Sequence, residues 1–176
     1  MDLRKQKTLR SIREAFFTLR RQKNLEAISV TELATLAEIS KATFYLHYRD
    51  IYDLSEQLQK EVLEAVFVRL KDPMDVLNDP KRFLHSFVGA VEAEAELINT
   101  VFSSSQAGAL PAQILRSLKE YIFANSPELK NDPKVQVFLT YHIMGGYYAC
   151  MENAKQLGYK KCLRILEQLQ ASLPKY

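Results

Sequence analysis

Ser29 and Ser40 stand eleven residues apart, and each precedes a short segment with helical apolar spacing. Two helix caps so close leave room for about two turns of helix and a tight connection between them. Ser29-Val30-Thr31-Glu32 is a capping box: the Ser29 hydroxyl accepts the backbone N–H of Glu32, and the Glu32 side chain reaches back. It predicts a helix from Val30 to about Ala37 that turns Leu33, Ala34 and Ala37 inward. Glu38-Ile39-Ser40 makes the connection, and Ser40 opens a helix from Lys41 to about Tyr48. Helices joined by so few residues cross at a steep angle, which is helix-turn-helix spacing.

The flanking chain extends this pattern. Leu9, Ile12, Phe16 and Leu19 form one apolar stripe, predicting a helix from about Thr8 to Lys23. Asn24, a residue that tolerates the left-handed conformation, ends it. Asp50-Ile51-Tyr52-Asp53 is a third capping signal and starts a long helix. Leu54, Leu58, Val62, Val66 and Leu70 mark its buried side, and Asp72-Pro73 closes it. Asp79-Pro80, Pro111 and Pro133 each open a further helix, reaching about Glu94, Ala124 and Gln156. Residues 103–108 (SSSQAG) and 125–132 are loops between them. A last helix from Tyr159 carries Leu163, Leu166, Leu169 and Leu173. No stretch alternates with period two. The expectation is an all-α fold of about nine helices, with a three-helix head over residues 1–50 and a larger helical domain over 51–176.

Composition agrees: 5 glycines and 6 prolines in 176 residues suit a helical chain. Val135 to Met151 carries no Lys, Arg, Asp or Glu over 17 residues. It is short for a bilayer span and holds Gln136, Thr140, His142 and three tyrosines, so a buried or interface helix is expected rather than a membrane segment. The basic N-terminus is followed by no apolar signal region, which predicts a cytoplasmic protein. Cys150 and Cys162 lie in apolar helical surroundings without metal-binding spacing. They read as reduced structural thiols, and no metal or other cofactor is implied.

Charge is unevenly placed. Residues 1–50 hold 10 Lys and Arg against 6 Asp and Glu, and residues 51–176 hold 14 against 15. Eight of the basic residues lie in the first 23. Such asymmetry suits an anionic partner for that end, and it equally suits a solvated helix face.

The segment after Ser40 is more informative. On a helix from Lys41, Phe44 and Tyr48 lie one above the other and close a small core with Leu33, Ala37 and Ile39. Lys41, Ala42, Thr43, Tyr45, Leu46 and His47 then face solvent or a partner. Hydroxyls of Thr43 and Tyr45 can bond phosphate oxygens, and the helix N-terminus favours phosphate. Lys41 can reach guanine O6 and N7, and Ala42 can touch a thymine methyl. Double-stranded DNA is the partner this face suits. Ser29 and Thr31, at the start of the preceding helix, are further candidate contacts.

At these residues the chain resembles the TetR family of bacterial one-component transcription regulators. Ile12-x-x-Ala15-Phe16-x-x-Leu19 is similar to the family's first helix, and Ser29-Val30-Thr31-Glu32-Leu33-Ala34 to its second. Ala37 through Tyr48 is similar to its turn and recognition helix, and Leu54 to the start of its fourth. The resemblance implies a repressor that binds a near-palindromic operator as a homodimer. The protomers would pair through the last two helices, over residues 133–173, one uncharged and one with a leucine stripe. Gly145-Gly146 would allow close approach there, or mark a local weak point. The positions of Thr43 and His47 contact phosphate in the family, and those of Lys41, Ala42 and Tyr45 face bases or the groove wall.

The resemblance also implies a small apolar effector bound in the larger domain. Phe87, Phe102, Tyr121, Tyr141 and His142 are candidate lining residues. Aromatics at helical spacing more often serve as core than as pocket, and a lone histidine on an apolar helix reads first as structural. Two departures support a competing reading as a co-regulator acting through protein contacts. Glu38 stands in the turn where a glycine often recurs. Ile51 stands where the family usually has a phosphate-gripping lysine, for which Arg49 is the nearest substitute. An enzyme is not expected: no GxSxG, phosphate loop or metal cluster is present, and His142 and Cys150 are two helical turns apart.

Overall fold

A computed structural model of the chain describes residues 3–171. Among them every regular element is helical. The order is α1 (Leu3–Arg20), α2 (Val30–Leu36), α3 (Lys41–Tyr45), α4 (Ile51–Val68), α5 (Asp75–Asn78), α6 (Pro80–Ala93), α7 (Ala95–Val101), α8 (Leu110–Asn125), α9 (Pro133–Thr140), α10 (Gly146–Leu157) and α11 (Tyr159–Ala171). Leu25–Ala27, Ser104–Ala109 and Pro127–Asn131 are 3-10 turns, so both expected loops keep helical curvature. Among the described residues no helix is long and apolar enough to cross a membrane.

The chain forms two compact units. One is the chain up to Val62 together with Ala95–Gly108; the other is Leu63–Glu94 and the chain from Ala109 onward. The first unit therefore runs past residue 50 and takes in a later segment. Gln59, fully buried on α4, donates from Nε2 to the Val101 carbonyl at 3.0 Å. Arg20, buried at the end of α1, donates to the Lys23 carbonyl and to both the carbonyl and the hydroxyl of Ser103. Burial lowers the Arg20 pKa and the nearby Glu26 opposes this. A buried guanidinium is costly where its N–H groups are unsatisfied; the Ser103 carbonyl and hydroxyl meet Nη2 and tie that segment to the head, while Nε has no partner among the described residues. Ile12, Phe16, Leu25, Leu33, Phe44, Leu54 and Leu58 fill the core of this unit.

α1 is already helical at Leu3, five residues before the expected Thr8, and ends at Arg20 instead of Lys23. Asn24 is extended (φ −68°, ψ 156°) rather than left-handed, and its side chain accepts a hydrogen bond from Ser104 at 2.7 Å. α3 is shorter than expected, ending at Tyr45, although Tyr48 still packs inward. In the second unit, Asp79 caps α6 through the Arg82 N–H, and Asp132 caps α9 through the Lys134 N–H. The short α5 has no counterpart in the sequence reading. The buried carboxylate of Asp75 is held there by Arg82, whose Nε lies 2.6 Å away.

The uncharged helix is not regular throughout. Tyr141–Gly145 is a π-turn inserted between α9 and α10. Neither glycine is crowded within the chain: a side chain at Gly145 would meet nothing, and at Gly146 only Leu166 at 4.0 Å. Within the chain the glycine pair accompanies a local change of helix winding, not a close helix approach. The leucine stripe of α11 divides: Leu163 is buried, Leu166 is half-buried and Leu169 is exposed. Leu173 lies outside the described residues.

Candidate nucleic-acid interface

The turn between α2 and α3 is built by backbone geometry. The Ile39 N–H donates to the Ala34 carbonyl at 3.0 Å and the Glu38 N–H to the Thr35 carbonyl at 3.2 Å. This pair of bonds is a Schellman motif, whose key residue takes the left-handed conformation. Glu38 is that residue, with φ +55°. It occupies a position that favours glycine, and its carboxylate is carried into the turn ahead of α3.

Each helix N-terminus is capped by its serine. Ser29 Oγ accepts the Glu32 N–H at 3.1 Å, and Ser40 Oγ accepts the Thr43 N–H at 3.0 Å. The first cap is not reciprocal. Glu32 turns instead to Lys23, whose Nζ lies 2.6 Å from it. Ser40 and Thr43 also join through their hydroxyls, 2.8 Å apart, which fixes the Thr43 side chain at the start of α3. At the head of α4 Asp50 accepts the Asp53 N–H, and Asp53 reaches back past the cap to accept the Arg49 N–H, both at 2.8 Å.

The phase of α3 separates inward from outward residues. Phe44 is 0% exposed, with the ring of Tyr48 5.6 Å from its own. Ile39 is only half-buried. On the outer side Lys41, Ala42, Tyr45 and Leu46 are exposed, Tyr45 at 57% and Leu46 at 81%, while Thr43 and His47 are half-exposed. Ser29, Thr31 and Arg49 are exposed as well. The Tyr45 ring stands edge-on to Phe44, centroids 5.5 Å apart, which braces an otherwise exposed side chain. The nine sequence candidates thus lie on α2, α3 and the corner before α4, each exposed or half-exposed.

Ile51 is buried, at 5% exposure, and belongs to the packing of α4. Arg49 lies at that corner, with Nη2 3.5 Å from Asp53. Several of the basic residues counted from the sequence do not form a cationic face. Arg20 is buried, Arg10 pairs with Glu14, Arg13 with Glu61 and Arg21 with Glu96. Lys5, Lys7 and Lys41 are exposed.

The candidate effector residues do not converge. Phe102 is buried in the first unit. Phe87 and His142 line a cavity of about 90 Å³ in the second unit. Tyr121 and Tyr141 are exposed and lie outside its lining, Tyr141 at 70%. The cavity walls contain Met151, Leu163 and Tyr159, which sequence reasoning missed. Their contribution depends on how α6, α10 and α11 pack, and no local pattern encodes that.

No protein-family model, curated protein or solved structure matches the chain.

Proposed function

We propose that the chain is a TetR-like transcriptional regulator that binds a near-palindromic operator as a homodimer and acts as a repressor in the cytoplasm. The observation that carries this reading is the capped, outward face of α3. Phe44 is locked beneath it, and Lys41, Ala42, Tyr45 and Leu46 are exposed along it, as a helix that enters a groove would require. Exposed apolar side chains on α9, the π-turn, α10 and α11 support the dimer: Val137, Tyr141, Tyr148, Ile165 and Leu169.

A co-regulator acting mainly through protein contacts is the second reading. Buried Ile51 and the Glu38 carboxylate favour it, since both lessen the hold on phosphate. Selection of genomic DNA fragments by the purified protein at two salt concentrations separates the two. An enriched palindrome supports the operator reading. Weak binding without sequence preference, lost steeply with salt, supports the co-regulator.

A further inference from the structure

Cys150 on α10 and Cys162 on α11 are free thiols, 4% and 5% exposed. The two helices pack against one another. Both cysteines belong with Leu163 to one buried apolar cluster, which Val88, Leu157 and Leu166 complete. The thiols are neighbours within it, Cys162 hydrogen-bonding with Cys150. Burial pushes the Cys150 thiol up to about 11, and the Cys162 thiol adds to the shift. Cys150 is therefore protonated at neutral pH.

The surroundings restrict what two such thiols can hold. Cys150 is part of the wall of the cavity of about 90 Å³, and no Lys, Arg, Asp or Glu is among the described residues that line it. A charged solute entering there would lose its hydration without meeting a counter-charge. Among the described residues no group of three or more His, Cys, Asp or Glu is placed to hold a metal ion. Four-coordinate zinc therefore lacks its ligand set. A monovalent soft ion on two thiolates would bury a net negative charge. Two thiols without a counter-charge suit a soft centre that arrives neutral, takes two sulfurs and stays neutral.

We propose that Cys150 and Cys162 together capture a trivalent arsenical, arsenous acid being the simplest, as a neutral dithiolate that bridges α10 and α11. Arsenous acid is uncharged at neutral pH and is only an arsenic with three hydroxyls. A water needs roughly 10–15 Å³ of such space, so the cavity admits it. Each thiol displaces one hydroxyl: two As–O bonds break and two As–S bonds form. The thiol protons leave with the displaced hydroxyls as two waters, and the third hydroxyl stays on arsenic. Arsenic remains trivalent, so no oxidant or reductant takes part. Reactants and product are equally uncharged, so the apolar surroundings do not oppose the exchange. Use of the site to control DNA binding rests on the regulator reading above; capture of the arsenical does not.

The test is intact mass spectrometry of the full chain with sodium arsenite in excess glutathione, which keeps the thiols reduced and competes as a monothiol. One arsenic per chain, carrying no glutathione, is expected. It is retained because the second protein thiol closes on the first adduct intramolecularly. Cys150→Ala and Cys162→Ala should each lose this adduct while keeping wild-type helicity by circular dichroism. Should either variant not fold, X-ray absorption at the arsenic edge serves instead, on the wild-type complex freed of glutathione by gel filtration. Two sulfur neighbours and one oxygen are expected there. No adduct, the same adduct in either variant, or a single sulfur neighbour overturns the proposal. An adduct that leaves affinity for the enriched DNA unchanged overturns the regulatory use alone. An adduct without any DNA selection overturns the regulator reading and leaves the site standing.

Discussion

Arg49 gives its backbone N–H to the Asp53 carboxylate at 2.8 Å, and its guanidinium stays within 3.5 Å of the same group. Asp53 thereby closes the corner between α3 and α4. The backbone N–H of Arg49, then the side chain of Gln57, hold the Asp53 pKa below its ordinary value. A carboxyl depressed in the folded state stabilises the fold above its unfolded pKa, near 3.9. That contribution is lost as pH falls through the lower folded value. Asp53→Asn should therefore cost about 1 kcal/mol at pH 7, and the difference from wild type should shrink below about pH 4. Urea denaturation of both proteins across that range is the measurement. A pH-independent difference would mean the side chain matters for its shape and not its charge.

Glu38 is expected to be replaceable with gain. Its φ of +55° costs an L-residue roughly 1 kcal/mol that glycine does not incur. Glycine's greater freedom in the unfolded chain offsets part of this. Glu38→Gly should leave stability unchanged or raise it by up to about 1 kcal/mol. Under the operator reading it should also tighten DNA binding, because a carboxylate leaves the turn. Thermal unfolding and a fluorescence binding titration check the two effects separately. A loss of stability would show that the Glu38 side chain makes a compensating contact.

Phe44 and Tyr45 are neighbours with opposite expected phenotypes. Phe44→Ala opens a cavity in the core of the head and should cost about 3–5 kcal/mol. Tyr45→Ala removes an exposed ring and should change stability by under about 1 kcal/mol, while lowering affinity for the enriched operator by about 1–3 kcal/mol. Lys41→Ala should behave like Tyr45→Ala. Denaturation and operator binding on the same preparations separate these outcomes. Wild-type affinity in both surface variants would remove α3 from the interface.

Much of this head was legible because its information is local. A serine three residues before the N–H it accepts, and two apolar residues four apart, need no tertiary knowledge. That is why the Ser29 and Ser40 caps and the inward phase of Phe44 could be read from the chain. Elements set by distant partners could not. Glu32 pairs with Lys23, nine positions back, instead of closing its own capping box. Arg20 looked like part of a basic surface, yet Ser103, 83 residues away, draws it inward. Gly145-Gly146 suits close helix approach or a local weak point, and neither reading specifies the π-turn found there. The cavity was least legible of all, since Phe87, Met151 and Leu163 meet only through helix packing. Aromatic character alone placed Tyr121 and Phe102 with them.

The exposed face of the uncharged helix yields a last prediction. Val137 and Tyr141 lie one turn apart on α9 and the π-turn, exposed at 69% and 70%, and Tyr148 follows on α10. Large side chains in water at this spacing suit a partner helix, and a second copy is the occupant under the regulator reading. A double variant, Val137→Asp with Tyr141→Asp, buries nothing polar within the protomer and should leave its helicity unchanged. It should convert a dimer to a monomer in sedimentation velocity at micromolar concentration, because four carboxylates would otherwise be desolvated across a two-fold interface. Operator affinity should fall with it, since each half-site is then held alone. If wild type and variant sediment alike, as dimers or as monomers, α9 and the π-turn are not the dimer contact.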